Sequence, residues 1–229
     1  MSSPLLSIII PIFNEDKLVA STLPAVFNLP IDKEVIVVND GSTDDTALVL
    51  EDMTKSYRFQ LINHITNQGK GAAVRKGLEI VKGRYFVICD ADSEYDPSNL
   101  IMMLSEISKD QTSKVALYGS RWLAGNPSGW HYRINWFLSA LTNYLFGSQL
   151  TDMETCFKMI PKTALNKINL RGRRFEIEPE ITAQLLKSGY SISEVPISYK
   201  RRGYKDGKKI KPRDGLIAIL TLLKEKLYS

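Results

Sequence analysis

The chain has 229 residues, of which 44% are hydrophobic and 24% charged, an ordinary composition for a globular domain with its own core. Its two cysteines, Cys89 and Cys156, are too few for a disulfide framework, and we expect buried free thiols in a reducing compartment. No apolar run reaches the length of a membrane span, and the N-terminus lacks a signal-peptide pattern. We therefore expect a soluble or peripheral protein.

The net charge of +5 is concentrated near the C-terminus. Eight basic residues and one acidic residue lie between Lys200 and Arg213. Such a cluster indicates a phosphate-bearing or membrane-surface partner, and a solvated basic loop is the alternative. No aromatic ladder or helix-turn-helix pattern accompanies it, so we do not expect a nucleic-acid partner.

Taken in chain order, the first half of the sequence alternates apolar runs with stretches of helical periodicity. We predict strands over residues 7–13, 34–38, 59–64, 85–89 and 114–119. Helices are predicted between them, over residues 17–28, 43–55, 72–81 and 97–108. This order is typical of an α/β domain in which helices flank a mostly parallel sheet.

The second half is less regular. We predict helices over residues 132–146, 176–187 and 213–227, a strand over 155–160 and an extended segment over 191–199. No linker composition divides the chain, so residues 1–229 are expected to form a single domain. The last helix has an apolar face that we expect to pack on the core, with a lipid surface as the alternative. That face comprises Leu216, Ile217, Ile219, Leu220 and Leu223.

Three carboxylates follow the predicted strand 85–89 at a spacing of two residues. They are Asp90, Asp92 and Glu94. Carboxylates this close repel one another, so a positive partner is expected, and a hard divalent cation such as Mg²⁺ or Mn²⁺ prefers oxygen ligands of this kind. Diphosphate oxygens would complete the metal shell. A solvated acidic loop is the alternative interpretation.

Other polar residues also follow predicted strands. Glu15 and Asp40 do so, and the carboxyl ends of parallel strands meet at the edge where such sheets bind ligands. Residues 69–71 (GKG) precede a helix, where backbone N–H groups can hold phosphate. Taken alone, residues 40–42 also fit a plain turn and residues 69–71 a simple helix start.

Four sequence blocks in this order resemble a known family. They are residues 7–15 (SIIIPIFNE), 37–44 (VVNDGSTD), 67–72 (NQGKGA) and 90–92 (DAD). The chain is similar to inverting glycosyltransferases of family two, which have the Rossmann-like, nucleotide-diphosphosugar-binding GT-A fold. The resemblance implies that residues 1–125 form a nucleotide-sugar-binding half and residues 126–229 an acceptor-binding half.

Within that family the chain is most similar to dolichyl- and polyprenyl-phosphate sugar synthases. Three further blocks carry this resemblance: residues 119–121 (GSR), 152–158 (DMETCFK) and 195–199 (VPISY) followed by Arg202. The chain departs from the family pattern at Glu94, Cys156 and Lys158, which replace Gln, Gly and Arg. These departures bear on the identity of the sugar and the acceptor.

The resemblance implies a role for each matching residue. Pro11, Phe13, Glu15 and Asp40 would line the base and ribose pocket. Lys70, Asp90, Ala91, Asp92 and Glu94 would bind the diphosphate, with Asp90, Asp92 and Glu94 as metal ligands. Arg121, Arg133 and Arg202 would bind the acceptor phosphate or the leaving diphosphate, although Arg133 also fits a solvated helix end. Asp152 would orient the sugar or act as a base.

The implied activity is metal-dependent transfer from a UDP- or GDP-sugar to a polyprenyl phosphate, at the cytoplasmic face of a membrane. A phosphate nucleophile is already anionic and needs no strong base, whereas a hydroxyl acceptor needs a carboxylate base, for which Asp152 is the candidate. Two alternatives stay open at this point. One is transfer to a saccharide hydroxyl, and the other is a nucleotide-sugar-binding module without turnover.

Overall fold

The computed structural model of the protein describes residues 3–125, 130–200 and 212–228. The strands are β1 (Leu6–Ile12), β2 (Lys33–Asn39), β3 (Gln60–Asn63), β4 (Tyr85–Ile88), β5 (Val115–Ser120), β6 (Lys158–Pro161) and β7 (Ser191–Pro196). The helices are α1 (Asp16–Phe27), α2 (Thr46–Met53), α3 (Lys70–Leu78), α4 (Asn99–Ile107), α5 (Trp130–Phe146), α6 (Ile177–Lys187) and α7 (Pro212–Leu227), with a 3₁₀ turn at Lys162–Asn166.

One seven-stranded sheet has the order β3-β2-β1-β4-β6-β5-β7. Strand β1 pairs in parallel with β2 and β4, β2 with β3, and β5 with β7, while β6 runs antiparallel to both β4 and β5. Because β4 and β5 both run antiparallel to β6, they run in the same direction as each other. The carboxyl ends of β1, β2, β4, β5 and β7 therefore lie at one edge of the sheet, which we call the carboxyl edge.

The central strand β1 is apolar on both faces because helices cover both. Alternate residues of a strand point to opposite faces, so Ile8 and Ile10 pack with Leu23 of α1 and Leu100 of α4. Ile9 packs on the other face, with residues of α3 and α6. The predicted α/β domain, with a mostly parallel sheet flanked by helices, is confirmed. Both cysteines are buried free thiols, as predicted.

Helices α5 and α7 pack together in a third apolar cluster, which corrects the face predicted for α7. Ala218 and Leu222 are its buried residues, and Ile219 is partly buried. Four leucines spaced four, three and four residues apart lie on the opposite side of the helix, so they cannot reach the same core. We call them the leucine stripe: Leu216, Leu220, Leu223 and Leu227, which are 60%, 57%, 40% and 79% exposed. Ile217 is also exposed.

Two element boundaries differ from the predictions for local reasons. Helix α2 begins at Thr46 because the Asp44 carboxylate accepts the N–H groups of Thr46 and Asp16. Strand β6 begins at Lys158 because the preceding residues turn, with the Lys158 N–H donating to the Cys156 carbonyl over 2.8 Å. In the described ranges, none of the helices combines the length and the apolar character needed to cross a bilayer.

Candidate active site

The predicted acids of the first half lie at the carboxyl edge. Glu15 follows β1, Asp40 follows β2, and Asp90 and Asp92 follow β4, and these three strands are neighbours in the sheet. Among residues 3–125, 130–200 and 212–228, however, no three Asp, Glu, His or Cys side chains are grouped closely enough to hold a metal ion. Joint binding of one metal ion by Asp90, Asp92 and Glu94 stays a prediction.

Each of the three carboxylates has a different partner. Lys70 Nζ lies 2.8 Å from Asp90 Oδ1. Asp92 Oδ1 accepts the backbone N–H of Glu94 over 3.2 Å. Glu94 is 8% exposed, and its side chain hydrogen bonds to Tyr199, beyond β7. Pairing with Lys70 and Tyr199 relieves the repulsion that the spacing of these acids creates.

Lys70 belongs to a buried chain of alternating charges. Its Nζ atom also lies 3.0 Å from Glu178 Oε1, and Glu178 Oε2 lies 2.5 Å from Lys158 Nζ. Burial disfavours the charged form of Lys70, but Asp90 and Glu178 outweigh it and raise its pKa well above the usual value. Burial likewise opposes ionisation of Glu178, but Lys158 and Lys70 lower its pKa. This series of ion pairs thus extends from Glu178 on α6 to Asp90 at the carboxyl edge.

Asp90 and Asp92 still offer a metal a suitable donor set. Both are partly exposed, and both supply hard carboxylate oxygens. Mg²⁺ sites commonly use one or two protein carboxylates and take their other ligands from phosphates and water. These two residues therefore fit Mg²⁺ or Mn²⁺, and a role for Glu94 as a third ligand stays a prediction.

Asp40 is 2% exposed and binds the loop that precedes α3. Its carboxylate accepts the N–H groups of Gln68 and Gly69 over 3.0 and 2.7 Å, and the side-chain amide of Asn67 over 3.0 Å. His64 Nδ1 lies 2.7 Å from it as well. A protein carboxylate therefore occupies the Gly69 N–H, one of the donors that we predicted to hold phosphate. Contact of Asp40 with a base or ribose stays a prediction.

The loops after β1 and β2 are joined to each other. The Asn14 N–H donates to Ser42 Oγ over 3.0 Å, and the Glu15 N–H donates to Thr46 Oγ1 over 2.9 Å. Pro11 and Phe13, on the same stretch, are partly exposed. Ala91 is buried, and its carbonyl accepts the Thr22 hydroxyl over 2.9 Å. These contacts build a wall beside Asp90.

Arg121 and Asp152 form a buried, two-pronged ion pair just past β5. Arg121 Nε donates to Asp152 Oδ2 over 2.7 Å, Nη2 donates to Oδ1 over 2.6 Å, and the backbone N–H also donates to Oδ2. Burial opposes the charge of Arg121, but Asp152 outweighs it and raises the pKa of the guanidinium well above its usual value. Asp152 is fully buried and holds Arg121, and its role in orienting the sugar or acting as a base stays a prediction.

Two tyrosines place Arg121 beside the acidic loop. Its guanidinium carbon lies 5.9 Å from the ring centre of Tyr95 and 5.2 Å from that of Tyr199. Tyr199 is also the partner of Glu94, and Tyr95 directly follows Glu94 in the chain. The cation after β5 and the carboxylates after β4 therefore belong to one connected site.

Sequence reasoning missed Glu154 as a titratable group. Burial raises the pKa of its carboxyl to about 7, against the opposing effect of Lys158. Its Oε1 atom is buried without a hydrogen-bond partner within the described ranges. The signal that could have identified Glu154 is its carboxylate within residues 152–158, a block in which only Asp152 was given a catalytic role.

The remaining predicted cations are placed less closely. Arg133 is exposed on α5, as in the solvated interpretation of that residue. Arg202 and most of the basic run lie outside the described residues, and Lys200 just before them is exposed. Their phosphate-binding roles stay predictions.

The known proteins that are similar to this chain include enzymes that transfer sugars. A dolichyl-phosphate beta-glucosyltransferase of Trichomonas vaginalis is 28% identical, over 96% of this chain and 72% of that protein. Dodecaprenyl-phosphate galacturonate synthase of Rhizobium johnstonii is 26% identical, over 86% of this chain, which spans 59% of that longer protein. Glucosyl-3-phosphoglycerate synthase from Mycobacterium tuberculosis, crystallised with Mn²⁺, uridine diphosphate and phosphoglyceric acid, matches with a TM-score of 0.72 at 16% identity, over 97% of this chain and 78% of that chain.

The structural likeness confirms the predicted GT-A fold. The family model described as Glycosyl transferase family 2 matches residues 7–168. That stretch covers well over half of the chain and includes the carboxyl-edge residues from Glu15 to Lys158. The chain therefore belongs to glycosyl transferase family 2 and is a glycosyltransferase, as its sequence blocks predicted.

Proposed function

We propose that this enzyme moves a sugar from a UDP- or GDP-sugar to a polyprenyl phosphate, with inversion at the anomeric carbon. The observation that carries the proposal is Arg121, a partly buried cation fixed by Asp152 at the edge that also presents Asp90 and Asp92. The names of two relatives support it, because the Trichomonas protein is a dolichyl-phosphate glucosyltransferase and the Rhizobium protein a dodecaprenyl-phosphate galacturonate synthase.

The donor would bind against the loops after β1 and β4. Pro11, Phe13 and Glu15 would line the base and ribose pocket, since all three are partly exposed there. Asp90 and Asp92 would hold Mg²⁺ or Mn²⁺, which supplies positive charge to the departing diphosphate. The Mycobacterium tuberculosis synthase was crystallised with Mn²⁺ and uridine diphosphate, which supports this assignment.

The acceptor phosphate would lie against Arg121. One of its oxygens forms the new bond to the anomeric carbon as the bond from that carbon to the donor diphosphate breaks. A phosphate monoester is already anionic at neutral pH, so no side chain has to remove a proton first. Asp152 keeps the guanidinium oriented, and a preorganised cation of this kind stabilises phosphate charge without reorganising.

The enzyme would work on the cytoplasmic face of a membrane, bound at the surface. The leucine stripe of α7 is flanked by the exposed cations Arg213 and Lys224. An apolar stripe with basic flanks is the pattern of helices that lie in an anionic lipid interface. The basic run before α7 adds to that charge in the sequence.

Transfer to a saccharide hydroxyl is the second candidate function, and Glu154 favours it. A carboxyl with a pKa of about 7 and an unpaired buried oxygen has the properties of a general base at neutral pH. A hydroxyl acceptor needs such a base, whereas a phosphate acceptor does not. A product formed only with saccharide acceptors would therefore replace our first proposal with this one.

The test is a screen of UDP- and GDP-sugars against short polyprenyl phosphates and saccharides, with products identified by mass. We expect a prenyl-phosphate sugar that forms only with added Mg²⁺ or Mn²⁺. Asp92→Asn should lower the rate by about 10²-fold or more, because it removes charge that holds the metal. Asp45→Asn is the control, since Asp45 is exposed and its side chain caps nothing.

Two results would contradict the proposal. The acceptor assignment fails if no prenyl phosphate is used by the parent enzyme. The metal assignment fails if Asp92→Asn turns over at the parent rate with the same metal dependence.

A further inference from the structure

A groove of about 310 Å³ opens between the loop after β5 and helix α5. Its apolar lining consists of Trp122, Leu123, Trp136, Ala140 and Leu150. The volume lies at the lower end of the range of small-molecule sites, about 300–1,000 Å³.

Three polar side chains of the groove are already bonded to the protein, whereas the buried Trp122 Nε1 has no hydrogen-bond partner among the described residues. Ser139 Oγ accepts the Met153 N–H over 2.9 Å. Asn143 Oδ1 accepts the Leu150 N–H, and Asn143 Nδ2 donates to the Leu150 carbonyl. Thr151 Oγ1 donates to Glu194 over 2.8 Å. A ligand in the groove therefore meets mainly apolar surface.

The groove is lined by the residues next to the Arg121–Asp152 pair in the chain. Trp122 directly follows Arg121, and Thr151 directly precedes Asp152, so the two walls carry the two partners of the ion pair. Away from the pair the lining reaches the surface, where Leu123 is 50% and Trp136 58% exposed. The neighbouring Phe137 of α5 is 50% exposed as well. The apolar lining of the groove thus lies one residue from each partner of the ion pair in the chain and extends to an exposed apolar surface.

We propose that this groove binds the first isoprene units of the acceptor lipid, with its phosphate at Arg121. The inference rests on the proposed function and adds the subsite for the lipid chain. An amphiphile with a phosphate head and an apolar tail matches the order of charge and apolar surface along the groove. A sugar ring would need several free hydrogen-bonding groups, whereas Ser139, Asn143 and Thr151 are engaged and Trp122 Nε1 offers a single donor.

The test varies the length of the acceptor chain while its head group is held constant. Initial rates are measured with dimethylallyl, geranyl and farnesyl phosphate, and with glycerol 3-phosphate as a soluble phosphate without an apolar tail. We expect KM to fall about tenfold with each added isoprene unit, as apolar area is buried, with little change in kcat. Glycerol 3-phosphate should be the poorest acceptor.

Filling the groove should remove this dependence on length. Ala140→Trp should raise KM for farnesyl phosphate at least tenfold and leave KM for dimethylallyl phosphate near the parent value. Ala20→Trp is the matched control, because Ala20 is exposed on α1 and the substitution adds the same bulk elsewhere. Trp136→Ala provides a second variant that leaves the core intact, and it should also raise KM for farnesyl phosphate.

The possible failures are distinguishable. If parent enzyme uses all three prenyl phosphates with one KM, the groove inference is wrong while the lipid-phosphate function stands. If Ala140→Trp folds and keeps the parent's length dependence, the inference is equally wrong. If no prenyl phosphate is used and a saccharide or glycerol 3-phosphate is, the proposed function fails and the groove inference fails with it.

Discussion

Glu154 changes charge near neutral pH because burial raises the pKa of its carboxyl from 4.5 to about 7. Below pH 4.5 the carboxyl is protonated in both the folded and the unfolded chain. Between pH 4.5 and 7 the unfolded chain releases the proton first, so the folded state loses stability as pH rises. Well above pH 7 the carboxyl is ionised in both states, so the loss of stability no longer changes with pH.

Glu154→Gln should therefore stabilise the protein at high pH. We expect its free energy of unfolding to exceed that of the parent by on the order of 2 kcal/mol at pH 8. The gain should shrink at pH 5, where the parent carboxyl is largely protonated when folded. Urea denaturation at the two pH values measures it, with the exposed Glu51→Gln as control. A gain that is equal at both pH values would show that charge is not its cause.

At the residue scale, sequence reasoning predicted which side chains follow the strands but not their pairings. Asp90 and Arg121 could be placed at one edge because each follows an apolar strand, and strand ends can be read from the sequence. The ion-pair partners of these two residues could not be predicted in this way. Lys70 is 20 residues from Asp90, and Asp152 is 31 residues from Arg121. Which cation meets which carboxylate depends on how β6 inserts between β4 and β5, and local sequence does not encode that order.

At the scale of elements, the start of α3 packs directly against the segment before α6. The Ala72 N–H donates to the Arg173 carbonyl over 3.1 Å. A Cβ atom added to Gly71 would lie 2.6 Å from the Gly172 carbonyl oxygen and 2.9 Å from the Arg174 oxygen. Both neighbours are backbone atoms, so neither can move aside cheaply. Glycine at position 71 is thus required for packing, in a block that the sequence interpreted as a phosphate loop.

A pair of Gly→Ala substitutions separates packing from helix propensity. Gly71→Ala should lower the free energy of unfolding by about 1–3 kcal/mol, because it forces α3 away from this segment. Gly215→Ala should raise it by about 0.5–1 kcal/mol, since Gly215 is helical and its new Cβ would meet only Ile134, at 3.6 Å. Chemical denaturation of both variants measures the two signs. Equal effects in the same direction would show that the contact with residues 172–174 does not matter.

At the scale of the whole molecule, α7 has two apolar sides with different neighbours. Ala218 and Leu222 face α5 and α6 within the third cluster. The leucine stripe faces outward, and the chain carries a net charge of +5. The hydrophobic pattern alone could not decide which side of α7 packs on the core, because both sides are apolar and the packing partner comes from a distant part of the chain.

We predict that the leucine stripe holds the protein at an anionic bilayer. Leu220→Ser with Leu223→Ser should weaken binding to phosphatidylserine-containing vesicles by about tenfold or more, because two exposed leucine side chains no longer enter the interface. Leu48→Ser is the control, since Leu48 is 66% exposed on α2 and lies outside the stripe. Co-sedimentation with vesicles at low and high salt measures binding, and transfer to soluble farnesyl phosphate should stay at the parent rate in both variants.

A second copy of the chain is the competing occupant of the stripe. If the double variant sediments with vesicles like the parent while a parent dimer dissociates into monomers, the stripe is a dimer interface and its role at the membrane is refuted.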